Sequence, residues 1–573
     1  MISSRSYGPI LALEHGSCVR CSSGPLADVV NSDIYCSRCL IDVYRDKTCH
    51  PPQPGQMVAD SLTTVFYIAA FVLAFALYVY TIRRRLPPYP PGPPGWPIIG
   101  NLKVPDEPSY KEYRRWSEEY SSDIVHINVL GTNIVVTNTL EASADLLDKR
   151  SLTYSNRAIH GVTMMRDLCG FDWAISFAQP GKYWREQRKV FQREYHPQAI
   201  RRYRRTETQT AQTFLHNLLA SPEDFFRHAK YALGQDLIYS AYGVKTKNYD
   251  DPLIVTVEHG LEAVVAAMNP GQFLVDYFPI MKYIPAWFPG AGFQRKAKVW
   301  RKSVHKLLHV PFTLAKNLQD ANELPDDCAA KSFLADVIPS STDPTYMEYV
   351  VRSALAAAYS AGIDTTMSVL HSFFLAMALY PDVQKEAQRE IDSVCHGRLP
   401  DFSDYDALPY MHAIVKEILR WNPAVPLNIV HASAQDDVYR GYYIPKGSLV
   451  VANIWAILHD PAVYADPESF CPSRFLRSDT NPTPEPDPDA AYGFGRRICA
   501  GRHLAHEMLW ITIASVVAAF DIVKAKDEAG REIVPPGEYD YGFIQLPKPF
   551  RCEIRPRSAE HEKLVLGAVD QDS

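Results

Sequence analysis

The stretch Tyr492-Gly493-Phe494-Gly495-Arg496-Arg497-Ile498-Cys499-Ala500-Gly501, standing just ahead of a long apolar run, decides how this chain is read. A cysteine that holds a metal as its thiolate needs backbone N–H groups aimed at the sulfur, a helix N-terminus behind it and apolar cover against water. Gly493, Gly495 and Gly501 free the backbone for the first, a helix expected to open near Gly501 gives the second, and the rings of Tyr492 and Phe494 give the third. Thiolate ligation of haem iron pushes electron density toward O–O cleavage. A buried cysteine that only packs is the competing reading of the same run.

Working outward, 573 residues suffice for one large core plus accessory segments. A net charge of -6, with no basic run carrying interleaved aromatics, argues against a nucleic-acid partner. Residues 62–82 read LTTVFYIAAFVLAFALYVYTI without a charge. As a helix they span about 31 Å, close to the hydrocarbon thickness of a bilayer. Tyr67, Tyr78 and Tyr80 lie toward its ends and Arg83, Arg84 and Arg85 follow at once, which predicts a single membrane anchor with the C-terminal side in the cytosol. A basic and proline-rich hinge follows over 83–101; its prolines favour a stiff, extended spacer that sets a globular body at a fixed angle to the bilayer, or else a ligand for proline-recognition domains.

Ahead of the anchor, Cys18, Cys21, Cys36 and Cys39 form C-x2-C-x14-C-x2-C, close to zinc-ribbon spacing, and Cys49 follows. With the arginines cytosolic, this tail lies in an oxidising lumen that favours disulfides. Met57-Val58-Ala59-Asp60 directly before the anchor also reads as a natural start, with residues 1–56 a gene-model extension. All three readings stand on the sequence.

The body is expected over 102–558, with a C-terminal tail over 559–573: mainly helical with smaller β-sheets, an α+β arrangement. Alternating runs predict strands at 124–129 and 133–136 and again at 438–445 and 543–554. Long helices are expected over 347–380, ended by Pro381, over 406–421 and over 501–520, and 479–489 reads as a loop. No internal repeat is present.

Three constellations bear on the cysteine. Glu417 and Arg420 share a helix face, and Arg474 downstream offers a second guanidinium, so one carboxylate between two arginines would tie the helix to the loop leading to Cys499. Ala361-Gly362-Ile363-Asp364-Thr365-Thr366 places poor helix formers mid-helix. There a small Gly362 lets a ligand approach, Thr365 bonds back to a carbonyl and opens the helix, and Asp364 relays protons inward. Trp184 and Arg188, four apart, can both reach one carboxylate such as a haem propionate; a solvated helix face explains the pair equally well.

Together, in this order, these runs resemble the cytochrome P-450 superfamily, and the chain is similar to its microsomal fungal-type members from the proline hinge to the last strands. The resemblance implies the P-450 fold behind a single transmembrane helix, heme b on Cys499 as axial ligand, and Gly495, Arg497 and Gly501 shaping the loop beside Tyr492. It implies Glu417, Arg420 and Arg474 as a structural triad and Asp364 and Thr365 as the oxygen-activating acid–alcohol pair. It implies Trp184, Arg188, His431 and Arg497 at the propionates, and Met164, Met165, Phe171, Ala357, Ala361, Val425, Leu427, Phe543 and Ile544 at an apolar substrate pocket. The chain departs from the family in Tyr492 for a frequent Phe, Ala500 for a frequent Pro, and His431 alone where a basic pair is usual.

The implied activity is hydroxylation of a lipophilic small molecule with dioxygen, in secondary metabolism or detoxification, at the endoplasmic reticulum membrane with the body facing the cytosol. Gly493-x-Gly495 lacks the third glycine of a dinucleotide loop, so electrons from NADPH are expected through a separate cytochrome reductase, docking near Arg496 and Arg502, with cytochrome b5 as a second partner. The alternatives are a haem-thiolate isomerase or peroxygenase that needs no reductase, against which the Asp364–Thr365 pair speaks, and a membrane-anchored zinc-binding adaptor working through its cysteine tail.

Overall fold

The computed structural model describes residues 108–569 apart from His160, Pro270, Gly271 and Thr480, together with Val65–Tyr67, Ala70, Phe71, Ala74, Thr81, residues 86–96, Ile99–Asn101, Val104 and Pro105. The cysteine tail over 1–56 and most of the expected anchor therefore lie outside the described residues. The anchor residues that are described are helical and exposed.

Residues from Leu86 onward form one compact unit. Its helices are α1 (Ser109–Glu119), α2 (Lys182–Tyr195), α3 (Arg204–Ala220), α4 (Phe225–Tyr242), α5 (Pro252–Met268), α6 (Gly292–Asp320), α7 (Pro344–Leu379), α8 (Pro381–Cys395), α9 (Pro409–Trp421), α10 (Arg502–Ala519) and α11 (Ala559–Val569), with shorter turns between them. The strands are β1 (Ile124–Val129), β2 (Thr132–Thr137), β3 (Asn156–Arg157), β4 (His431–Ala432), β5 (Asp437–Tyr439), β6 (Tyr442–Ile444), β7 (Leu449–Ala452), β8 (Phe520–Lys524), β9 (Tyr539–Asp540), β10 (Leu546–Pro547) and β11 (Cys552–Pro556). Five of them make a sheet in the order β1-β2-β7-β4-β3, in which only β2 and β7 run parallel. The other six pair two by two as β5–β6, β8–β11 and β9–β10. The architecture is mainly helical with small sheets, as the sequence predicts.

Helix ends follow the local chemistry. Asp343 caps α7 by accepting the Tyr346 N–H at 3.0 Å, Pro344 takes the first turn where its missing N–H costs nothing, and Pro381 forces Tyr380 out of helical geometry. α7 is the one helix among the described residues apolar and long enough to cross a membrane, yet 78% of its most apolar window is buried inside the protein. It is the central core helix, packed against α2, α4, α6 and α10. The first orphan amides of α9 are capped from a neighbour: the Glu390 carboxylate of α8 accepts the N–H groups of Tyr410 (2.8 Å) and Met411 (3.2 Å).

Residues 88–91 of the hinge lie along the body, with the His126 N–H donating to Pro91 O (2.9 Å), the Tyr443 N–H to Pro88 O (2.8 Å) and Tyr89 stacked on His126. The expected C-terminal tail is instead α11 over most of its length. It packs on α3, α10 and β11 with Val565 fully buried, because an apolar stripe this close to the core gains more from burial than from solvent.

Candidate functional site

The cysteine loop is built by backbone hydrogen bonding. Cys499 N–H donates to Tyr492 O at 2.8 Å, closing the loop on itself, and Ile498 N–H donates to Gly495 O at 3.2 Å across a helical turn at Gly495–Arg497. Gly495 has φ +52°, and a Cβ there would stand 2.4 Å from the Leu147 carbonyl, so only glycine fits. Gly501 differs. Its φ of -94° is ordinary and a Cβ would meet no protein atom, so its N–H, not its lack of a side chain, is what serves the sulfur. Burial pushes the Cys499 thiol above its ordinary value. The N–H groups of Gly501 and Arg502 and the charges of Arg502 and Arg188 pull it down, as the start of α10 predicts. The residue lies deep in the protein yet is exposed, so its surface opens on an interior space. Phe494 is buried beside the loop. The Tyr492 hydroxyl has no hydrogen-bond partner, and burial first, then the neighbouring Cys499 and Asp489, raise its pKa.

Four basic groups converge next to this loop. Arg497 donates to the carbonyls of Ser155 (3.0 Å), Ile175 (3.2 Å) and Ala178 (2.8 Å), and its guanidinium lies 4.5 Å over the Trp184 ring. Arg188, on α2, donates to Ile498 O at 3.0 Å, inside the cysteine loop. His431 receives its place from β4, where it stands opposite Arg157 of β3. Its Nδ1–H donates to Tyr154 O at 2.7 Å, leaving Nε2 buried without a partner. Arg157, 4% exposed, donates to Ile429 O and Val430 O, and its Nε also lacks a partner. Among the described ion pairs none joins any of these four groups to a carboxylate.

The electrostatic consequence is uniform. Burial, and then Arg497, drive Arg157 well below its ordinary value, burial and Arg188 bring Arg497 down to about 10, and burial and Arg157 push His431 down. Arg188 is lowered by burial as well. Cations held this way suit a polyanion as partner. Arg157 was missed by the sequence reading, since nothing local marks it; only the β3–β4 register brings it to His431.

The Glu417 carboxylate is fully buried and accepts both Arg420 Nε (2.8 Å) and Nη2 (2.9 Å), Arg474 Nε (3.2 Å) and the Cys471 N–H (2.8 Å). Arg420 also donates to Leu458 O, Pro467 O and Ser469 O, and Arg474 to Ala465 O and Glu485 Oε2. Every strong donor in this cluster is matched, in contrast with the four groups above.

On α7, Thr365 Oγ1 donates to Ala361 O at 2.7 Å. The helix nevertheless stays α-helical from end to end, so the expected local opening does not occur. The small Gly362 also has a different use. A Cβ there would stand 2.9 Å from Leu237 Cδ1, so its absence admits α4, not a ligand. Asp364 is half-buried; burial raises its carboxyl, Lys230 pulls it down, and Glu258 and Glu262 push it up. Ala361 is exposed in the middle of a helix whose other faces are buried, so this face of α7 also opens on interior space.

The expected pocket residues divide. Met164 and Met165 are fully buried, Ala357 is 3% and Phe171 4% exposed, all inside the main packed cluster. They belong to the core: Met164 and Met165 fill it from the inner face of a short helical turn, Ala357 from α7 and Phe171 from the segment after that turn. Ala361, Val425, Leu427, Phe543 and Ile544 keep accessible surface.

A single soft thiolate donor and a separate cluster of uncompensated cations fit an iron porphyrin with its two carboxylates. The cytochrome P-450 family model matches residues 90–554. A cytochrome P-450 monooxygenase of Armillaria gallica is 39% identical over 518 residues, covering 90% of this chain and 100% of that protein. The tryptamine 4-monooxygenase of Psilocybe cyanescens is 38% identical over 88% of this chain and 100% of its own length. A cytochrome P-450 monooxygenase of Coprinopsis cinerea is 39% identical over 90% and 98% respectively.

Proposed function

The chain belongs to the cytochrome P-450 family and is an oxidoreductase of the monooxygenase kind, and on that premise we propose that it uses a Cys499-ligated heme b to hydroxylate a lipophilic small molecule. The observation that carries this reading is the pairing of one N–H-cradled cysteine with four basic groups, Arg157 and His431 buried and Arg188 and Arg497 half-buried, that no carboxylate neutralises among the described ion pairs. When bound, the haem supplies the reductive activation of dioxygen. Everything else is the chain's own work.

Cys499 would hold the haem iron through its sulfur, and the amides of Gly501 and Arg502, which lower its pKa, would favour the thiolate. Arg157, Arg188, His431 and Arg497 would hold the two propionates, and Arg497 is braced over the Trp184 ring. The His431 Nε2 becomes a donor once an anion raises its pKa. Thr365 Oγ1 and the Asp364 carboxyl hold protons on the open face of α7, and burial, which raises the Asp364 carboxyl, favours its protonated form there. Ala361, Val425, Leu427, Phe543 and Ile544 shape an apolar space that excludes water and selects by form. Glu417, Arg420 and Arg474 fix α9 to the segment leading toward Cys499.

Residues 62–82 are the single-pass anchor in the endoplasmic reticulum membrane, and the body faces the cytosol. There an NADPH–cytochrome reductase, with cytochrome b5 as a second donor, meets it near Arg496 and Arg502. The substrate is a terpenoid, polyketide, aromatic or fatty compound. Family membership leaves the zinc-adaptor reading without support, and the Asp364–Thr365 pair argues for a reductase-dependent reaction over an isomerase. The test is spectral: Cys499→Ser should abolish the reduced-CO Soret band at the thiolate position, and retention of a normal band refutes the assignment.

A further inference from the structure

Two carboxylates that no step above uses face one small cavity deep among the helices. Glu207 on α3 is 2% exposed and Asp236 on α4 is 1% exposed. They lie inside because α3 packs against both α4 and α10, and α4 against α7. Acids are almost never buried this fully without a partner. The cavity measures about 10 Å³; Glu207, Thr210, Asp236 and Thr512 form its polar wall, and Leu370 of α7 and Met508 of α10 lie on its apolar side. Both Glu207 oxygens and Asp236 Oδ1 lack a hydrogen-bond partner, and the Thr210 hydroxyl donates to the Asp236 carboxylate.

The charges facing the pair are Arg204 of α3 and Glu507 of α10, and these are spent on each other through two bonds of 2.9 and 2.7 Å. Among the described ion pairs none reaches Glu207 or Asp236. Two carboxylates so placed repel each other and have lost their water, so their ionised form needs positive charge from outside. Burial raises both acids, Asp236 to about 7, so protons supply that charge in acid and leave the site free to take a metal ion in base.

The chemistry narrows the ion. All the donors are oxygens, from two carboxylates and two hydroxyl-bearing side chains, which suits a hard cation and not zinc or copper. The cavity admits one water-sized body, so the ion enters without its hydration shell. Magnesium sheds its waters reluctantly and demands near-octahedral geometry, and a monovalent ion leaves one of the two buried charges unbalanced. Calcium loses water readily, accepts irregular oxygen cages and neutralises both acids.

We propose that Glu207 and Asp236, with Thr210 and Thr512, form a site for one calcium-like divalent cation that joins α3, α4 and α10. Each protonated carboxyl gives its proton to solvent as the ion enters, and nothing is oxidised or reduced. α10 opens beside Cys499, so the ion braces the far part of the helix whose first turn serves the thiolate loop. The site stands independently of the haem-thiolate reading.

The test uses the haem-loaded full chain, stripped of metal by a chelator, in choline buffer. Differential scanning fluorimetry at about pH 8.5 should show Tm raised by about 2–3 °C at a calcium concentration about a hundredfold above the Kd, with little response to magnesium or sodium. At about pH 5, where protons hold the pair, the shift should nearly vanish. Asp236→Asn and Glu207→Gln should each abolish the response. Should one of them not fold, the other carries the readout, together with terbium luminescence excited through Trp510, which lies between Met508 and Thr512 on α10 and whose signal calcium should displace. An equal calcium shift in wild type and both variants places the ion elsewhere and overturns the site. No shift at either pH leaves the pair to protons alone and overturns it as well. Magnesium acting as strongly as calcium overturns the dehydrated ion, and a shift undiminished at about pH 5 overturns the exchange with protons.

Discussion

Replacing Asp236 by asparagine should make this protein more resistant to alkaline conditions. Glu207 on α3 and Asp236 on α4 are both buried at the interface with α10. Neither oxygen of Glu207 nor Oδ1 of Asp236 has a hydrogen-bond partner. A cavity of about 10 Å³ lined by both, with Thr210, Thr512 and Met508, has room for a single water. Burial, then Asp236 and Glu507, raise Glu207; burial raises Asp236 to about 7. Arg204, the nearby cation, is committed to Glu507 through two bonds of 2.9 and 2.7 Å. An acid whose folded pKa is raised favours the folded state below its unfolded pKa, and that contribution is lost as pH rises through the folded value. The loss here spans the region from roughly pH 4 up to about 7 for Asp236. At about 1.4 kcal/mol per unit the ceiling for Asp236 is on the order of 4 kcal/mol, and Asp236→Asn should return about half of it, since the amide still carries part of the polar burial cost. For a body of this size the unfolding entropy is on the order of 1 kcal/mol per kelvin, so the gain is about 2 °C in Tm. Differential scanning fluorimetry of Asp236→Asn against wild type should show the smallest difference near about pH 4 and the full gain near about pH 8.5. An offset that is the same at both pH values refutes the shared buried charge.

Glu417→Ala leaves Arg420 and Arg474 buried around a missing carboxylate and should destabilise the fold by about 3–5 kcal/mol, seen as loss of soluble holoprotein, whereas an equal Tm would remove the lock from the structural account. Arg157→Gln should shed haem faster in transfer to apomyoglobin while leaving the thiolate-type spectrum in place; unchanged transfer would take Arg157 out of the propionate cluster. Thr365→Ala should continue to consume NADPH but release peroxide in place of product, and intact coupling would end its proton-holding role.

Much of the fold was legible because proline and capping residues punctuate it. Asp343, Pro344 and Pro381 delimit α7, and Pro409 opens α9 close to where periodicity alone places it. The cysteine loop was legible because its geometry is local: the amides that face the sulfur are two and three residues away in sequence. Gly362 misled because a small residue in a helix serves a neighbouring helix as readily as a ligand, and only the position of Leu237 decides. Met164 and Met165 misled in the same way, since an apolar side chain reads alike whether it fills a core or faces a cavity. The Glu207–Asp236 pair carries no sequence mark beyond being acids near apolar residues. Its environment comes from contacts between separate helices.

Arg497 binds the two halves of the site into one device. It stands in the cysteine loop, two residues before Cys499, and its guanidinium is spent on three carbonyls from the segment 155–178 and on the face of Trp184. The planar fork fixes the loop against that segment in a way a point charge would not. Its charge also lowers Arg157 and His431, so each basic group near it is harder to keep protonated than it would be alone. A dianion placed among them reverses every one of these shifts at once, and the same guanidinium that accepts it holds the thiolate loop in place. Binding of the group and order in the loop are therefore one equilibrium, in which the anion's contribution to affinity is also a contribution to folding.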